Sequence, residues 1–292
     1  MQGKIYEITG QRSRGQVQGY HCKPSPLHHG KTAHKVDIAG LKKAEQRDVI
    51  TFDGSEYTSK FTIGIEVEKN SLHRSAVKEY PLFCGFERDG SCGYEAVTHI
   101  LPLLPAGQWR TKVFDLFVQA EKIIDDRYSP SDRRCGGHMT IAVEGMSGDE
   151  LREKVRKFSG VIMALFRKRL KNTYCGHNLR MQSYIEATHY GGWHTKYQMA
   201  LVKHGVLEFR VVARFESVKQ MMRRYELMYE LVNFAINNPN GSHDSFLKRV
   251  SPIILSMYNG DSDKANEVLS LAKHFRKFIL SGEIHQDIAP YL

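Results

Sequence analysis

The chain has 292 residues, 41% hydrophobic and 25% charged, which is enough apolar material for a packed core and excludes disorder as the main state. Lysine and arginine number 42 against 32 acids, and the net charge of +10 points to an anionic partner: a nucleic acid, a nucleoside triphosphate or a carboxylate-rich substrate. No apolar run reaches the roughly 18 residues of a membrane helix, the first residues carry no apolar leader core, and five cysteines make no disulfide framework, so a cytoplasmic protein with no membrane partner is expected.

Residues 1–57 are rich in His, Lys, Gly and Gln and poor in apolar periodicity, and they read as an accessory, loop-rich segment ahead of a main domain over 58–292. His21, Cys22, His28, His29 and His34 lie there, at spacings that match no standard zinc finger. From Phe61 the run FTIGIEVEK alternates, with Ile63, Ile65 and Val67 on one face and Gly64, Glu66 and Glu68 on the other. That pattern predicts a half-buried strand carrying two carboxylates on its polar side. A turn at Asp89-Gly90-Ser91 and a strand from about Tyr94 to Ile100 follow. Gln108 to Asp126 reads as one helix with Val113, Phe117, Ala120 and Ile124 along a stripe.

CGGHMTIAVEG reads as a glycine-rich turn and a strand. Ser147 and Glu150 form a capping box for a long helix reaching about Lys171. Tyr197–Val202 and Val206–Phe215 read as a hairpin turned at His204-Gly205, with Glu208, Arg210 and Val212 sharing one face of the second strand. Ser217 and Gln220 cap a helix that ends near Asn238, and two more helical segments span about 243–258 and 263–281. This order predicts an α+β fold, an antiparallel sheet with helices on one side.

The chemistry rests on that charged face. Glu66 and Glu68 project together from one strand, as do Glu208 and Arg210 from another. Neighbouring carboxylates repel unless a cation or proton joins them. Magnesium takes oxygen ligands and shares them with phosphate, and arginine holds a phosphate oxygen with its planar fork. Asp89 and Glu95 flank a turn-to-strand junction and could add ligands. Taken singly, each motif is more often a solvated sheet face or a cross-strand ion pair.

Together and in order, the motifs G-I-E-V-E (64–68), D-G-S (89–91), Y-E-A-V (94–97), C-G-G-H (135–138), R-L-K-N-T-Y-C (169–175), K-Y-Q-M-A (196–200) and L-E-F-R (207–210) resemble the amidoligase family. Those enzymes are carboxylate–amine ligases related to glutamate–cysteine ligase and glutamine synthetase. The resemblance covers about Lys60 to Val232 and implies a glutamine synthetase-like catalytic core that uses ATP and magnesium to make an amide through an acyl-phosphate. It implies Glu66, Glu68 and Glu208 as magnesium ligands and Arg210 at phosphate. Glu95 and Asp89 would serve the cation or amine end, His138 the nucleotide phosphates, and Arg169 substrate or phosphate. Thr140 and Ala200-Leu201 depart from the family pattern, standing where relatives often carry a second histidine and an asparagine. The acid and amine substrates, small molecules or peptides, are not specified.

A zinc site from Cys135, His138, Cys175 and His177 is a further possibility at these motifs, ranked below the nucleotide role. Two other readings stay open. The +10 charge and the basic-aromatic stretches Phe166–Tyr174 and His274–Phe278 suit a nucleic-acid-binding protein, although solvated helix faces give the same pattern. A guanidino-kinase-like phosphoryl transferase would use the same fold. The chain lacks the P-loop, the dinucleotide fingerprint and the nucleophile elbow, which counts against those enzyme classes.

Overall fold

Phe61–Lys69 forms strand β3, and alternation alone would leave one of its faces in water. Instead every residue from Thr62 to Lys69 is buried, which corrects the half-buried expectation. Both faces of β3 are therefore covered, and both its edges are paired with other strands. The computed structural model describes residues 7–9, 49–51, 60–73, 80–89, 92–171, 199–203 and 205–281. It divides into two units, Met1–Ser147 with Arg214–Met222, and Gly148–Ala213 with Arg223–Leu292.

In the first unit, β1 (Glu7–Thr9) pairs antiparallel with β2 (Val49–Thr51). Strands β4 (Phe83–Asp89), β5 (Gly93–Thr98), β6 (Leu101–Pro102) and β7 (Gly137–Val143) join β3 in an antiparallel sheet. On one edge of β3 lie β5, then β6; on the other lies β7 along nearly its whole length. β4 closes the outer side of β5. Where β5 gives way to β6, the Ile65 amide would lose its ladder partner, and it donates to the Thr98 hydroxyl at 2.9 Å. Ile63, Ile65 and Val67 are fully buried, as are Val113, Phe117, Ala120 and Ile124, the stripe predicted for the following helix.

That helix is two: α1 (Gln108–Gln119) and α2 (Glu121–Ile124), broken at Ala120. A helix continuing to Asp126 and beyond would give the Ile124 carbonyl to a later amide. Lys69 Nζ takes it instead, at 2.6 Å, and the chain turns on Asp125, whose carbonyl accepts the amides of Tyr128 and Ser129.

In the second unit the predicted long helix over 147–171 is interrupted. It consists of α3 (Gly148–Arg156), α4 (Gly160–Leu165) and a 3₁₀ turn (Arg167–Lys171). At the break the amides of Phe158, Ser159 and Ile162 each reach back only three residues. Gly160 there lies so close to α7 (Ser262–Ser281) that a Cβ would stand 2.3 Å from the Ala272 carbonyl oxygen. Strands β8 (Ala200–Lys203) and β9 (Val206–Phe209) make the expected hairpin, shorter than predicted, with Gly205 at φ 81° in the turn. β9 ends at Phe209 because the Arg210 and Val211 amides both turn onto the Met199 carbonyl, so Arg210 stands just past the strand.

Helix α5 (Val218–Asn237) starts where the second capping box placed it, with Ser217 Oγ accepting the Gln220 amide at 3.2 Å. α6 (His243–Met257) and α7 follow the predicted bounds closely. Phe158, Phe234 and Phe246 form an aromatic cluster with centroids 5.1 to 5.4 Å apart, and Phe275 is buried in the same unit. Phe275, one of the two phenylalanines of the basic stretch at 274–278, therefore serves the core.

Candidate functional site

Strand register decides which polar residues meet. Residues directly opposite in an antiparallel pair share a face. Glu66 lies opposite His138 of β7, and Glu68 lies opposite Glu95 of β5. Glu66 and Glu68 are two apart on one strand, so all four occupy one face across three adjacent strands. They are buried, with exposures of 7% for Glu66, 6% for Glu68, 2% for Glu95 and 8% for His138. A solvated sheet face is therefore overturned as the reading of these residues.

The contacts are tight. His138 Nδ1 is 2.5 Å from Glu66 Oε2, and His138 Nε2 is 3.6 Å from Glu68 Oε1. The Gly136 amide donates to Glu68 Oε2 at 2.5 Å. One ligand atom each from Glu66, Glu95 and His138 falls within 4.8 Å of the others. Carboxylates gathered out of water require a countercharge, a proton or a cation. The donor set of carboxylate oxygens and one ring nitrogen suits a divalent ion such as magnesium or manganese. Those residues therefore fit a cation, and Glu66, Glu95 and His138 are the groups that would hold it.

The other predicted residues fall elsewhere. Asp89 ends β4, in register with Gly93. Glu208 of β9 is 2% exposed and pairs with the Arg210 guanidinium, so the two are held together as their spacing suggested. Both belong to the second unit, as does Arg169, half-buried in the 3₁₀ turn. Cys175 and His177 of the possible zinc site lie outside the described residues, as do His21, Cys22, His28, His29 and His34. Cys135 is described and buried, and its thiol donates to the Asn70 side-chain oxygen Oδ1 at 3.2 Å.

Two residues escaped the motif reading. Glu87 of β4 occupies the position opposite Glu95, which places Glu87, Glu95 and Glu68 in one row across three strands. Its signal was the run Gly85, Glu87, Asp89 at strand spacing. Lys69 falls on the same side of β3 as Ile63, Ile65 and Val67, and its side chain is fully buried. Its amine donates to the Ile124 carbonyl at 2.6 Å, to Asp126 at 2.7 Å and to the Phe215 carbonyl at 2.8 Å. Burial pulls this amine below the ordinary lysine range, against the opposing pull of Asp126. Parity was its signal: a lysine on the core face has to find acceptors.

No protein-family model matches the chain, and no curated protein matches it.

Proposed function

We propose that the chain is an ATP- and magnesium-dependent carboxylate–amine ligase with a glutamine synthetase-like core, forming an amide through an acyl-phosphate. The observation that supports it best is the buried cluster of Glu66, Glu68, Glu95 and His138. Concentrated carboxylates inside a sheet suit a reaction whose substrates arrive as metal phosphates. The order of sequence motifs across 64–210 supports the same reading.

In this reading Glu66, Glu95 and His138 hold the divalent ion, which when bound neutralises charge on phosphate oxygens. Glu68, fixed by the Gly136 amide and facing His138 Nε2, orients the imidazole. Arg210, steadied by Glu208, presents donors for a phosphate oxygen. Burial of the cluster keeps water from an acyl-phosphate, which would otherwise hydrolyse before an amine arrived. His138 thus moves from the phosphate role implied by the resemblance to a role on the cation, because its ring already lies between two carboxylates.

Calorimetric titration with a non-hydrolysable ATP analogue tests the proposal. Binding is expected with magnesium and absent with a chelator, and Glu66→Gln should weaken it by about tenfold or more. Binding that ignores the chelator and survives both Glu66→Gln and Glu208→Gln would sink the reading. So would the absence of any binding by the wild-type chain.

A further inference from the structure

We propose that Lys69, Asn70, Asp126 and Ser131 are positioning residues: they hold the loop 125–136 around the end of β3, and that loop fixes the carboxylate of Glu68 toward His138. β3 ends at Lys69, and alternation puts Glu68 and Lys69 on opposite faces of the strand. The same stretch of chain binds both side chains, at Asp126 on one face and at Gly136 on the other.

On the core face the Lys69 amine has three donors to satisfy. It meets three oxygens: the Ile124 carbonyl at 2.6 Å, Asp126 Oδ1 at 2.7 Å and the Phe215 carbonyl at 2.8 Å. Asp126 Oδ1 also accepts the Ser131 hydroxyl at 2.5 Å. One residue past the strand, the Asn70 amide donates to the Pro130 carbonyl at 2.9 Å. Pro130 and Ser131 are thus pinned twice, once through backbone and once through a side chain. From there the chain turns on Asp132, whose carbonyl accepts the Cys135 amide at 3.0 Å and whose Oδ1 accepts the Arg134 amide at 2.8 Å. The Cys135 thiol then donates to Asn70 Oδ1 at 3.2 Å, which brings the loop back to the residue that holds its start.

On the charged face the ladder between β3 and β7 stops at Val67, opposite Gly137. The neighbouring amide, that of Gly136, donates to Glu68 Oε2 at 2.5 Å instead. A glutamate side chain has several rotatable bonds, and a backbone amide on one oxygen removes much of that freedom. The other oxygen, Oε1, then stands 3.6 Å from His138 Nε2. Glu68 is therefore set by backbone that Lys69 and Asn70 anchor in turn. Support of this kind holds the groups around an ion in place before the ion arrives.

A role toward the ion rests on the ligase reading of Glu66, Glu95 and His138; the grip on Glu68 does not, and two measurements on the full-length chain separate them. The first is hydrogen exchange of the Gly136 amide, followed by nuclear magnetic resonance. Glu68→Ala removes the acceptor and should speed that exchange by about tenfold or more. Asn70→Ala and Ser131→Ala should each speed it by about threefold, while the rest of β7 keeps its protection. The second is titration with manganese alone. Ser131→Ala should weaken binding by about threefold, and Ser131→Thr, which keeps the hydroxyl, should restore it. In a Glu68→Ala background Ser131→Ala should cost nothing more, because its effect passes through Glu68. Equal losses in the two backgrounds would overturn the positioning role. So would a Gly136 amide as protected in Asn70→Ala and Ser131→Ala as in the wild type. A wild-type chain that binds no manganese would sink the ligase reading alone, and Gly136 exchange would then decide the grip on Glu68.

Discussion

At the scale of single residues, burial turns ordinary charges into structural commitments. Lys69 binds two carbonyls and Asp126 while fully buried. Lys69→Met fills the same volume but strands those acceptors, and it should cost about 3 kcal/mol, because removing one partner of a buried pair leaves the other uncompensated. Denaturant titration measures the loss, and a midpoint unchanged from wild type would refute the tether. His243 of α6 makes a pH prediction. Its Nε2 has no hydrogen-bond partner, and burial, with Arg276 and Lys273 of α7 nearby and Asp244 opposing them, pushes its pKa down to about 4. The unfolded chain therefore takes up this proton near the ordinary histidine value while the folded chain does not. Stability should fall as pH drops from about 6.5 towards 4, by about 3 kcal/mol at most from this group, and level off below. His243→Leu should flatten that part of the profile; an unchanged slope would assign it to other groups. Sequence reading reached these sites unevenly. The common face of Glu66 and Glu68 follows from alternation, which is local. That His138 faces Glu66 follows from the β3–β7 register, and no local pattern encodes it.

At the scale of elements, apolar periodicity located most helices and strands, and failed where a distant segment intervenes. The caps and stripes of α5, α6 and α7 are local features, and those helices match their predicted bounds within a few residues. The helix expected over 147–171 satisfies the same local rules yet is broken, because α7 presses on it at Gly160. Its glycine was visible in the sequence, but the carbonyl it admits lies more than a hundred residues away. The helix expected over 108–126 ends early for a similar reason, the claim of Lys69 on the Ile124 carbonyl. Gly160→Ala tests the first contact. The added methyl would meet backbone of α7 at 2.3 Å, which a rotamer change cannot relieve. Destabilisation of about 1 to 3 kcal/mol is expected, the usual cost of overpacking. A variant as stable as wild type would show that α4 and α7 separate freely at this point.

At the scale of the molecule, the net charge of +10 divides the nucleotide reading from the nucleic-acid one. A nucleic-acid surface concentrates unpaired cations along one face. Among the described residues many surface cations are committed to acids. Arg127 binds Asp125 and Glu121, Arg134 binds Asp132, Arg167 binds Glu267, Lys264 binds Asp261 and Lys273 binds Asp244. Such pairs add little stability, but each sets an anion beside a cation that a phosphate backbone would otherwise meet. The expectation is weak, non-specific attraction to polyanions with few counterions released. The affinity for a short duplex DNA should then change by less than about tenfold between roughly 50 and 200 mM salt, whereas a surface making several phosphate contacts loses about a thousandfold. Glu66→Gln should leave that affinity alone while weakening the magnesium-dependent binding of the ATP analogue, since the cluster lies inside the sheet and the attraction comes from the surface. A thousandfold fall with salt would mean that the unpaired cations do gather on one face, and the nucleic-acid reading would then take precedence over the ligase.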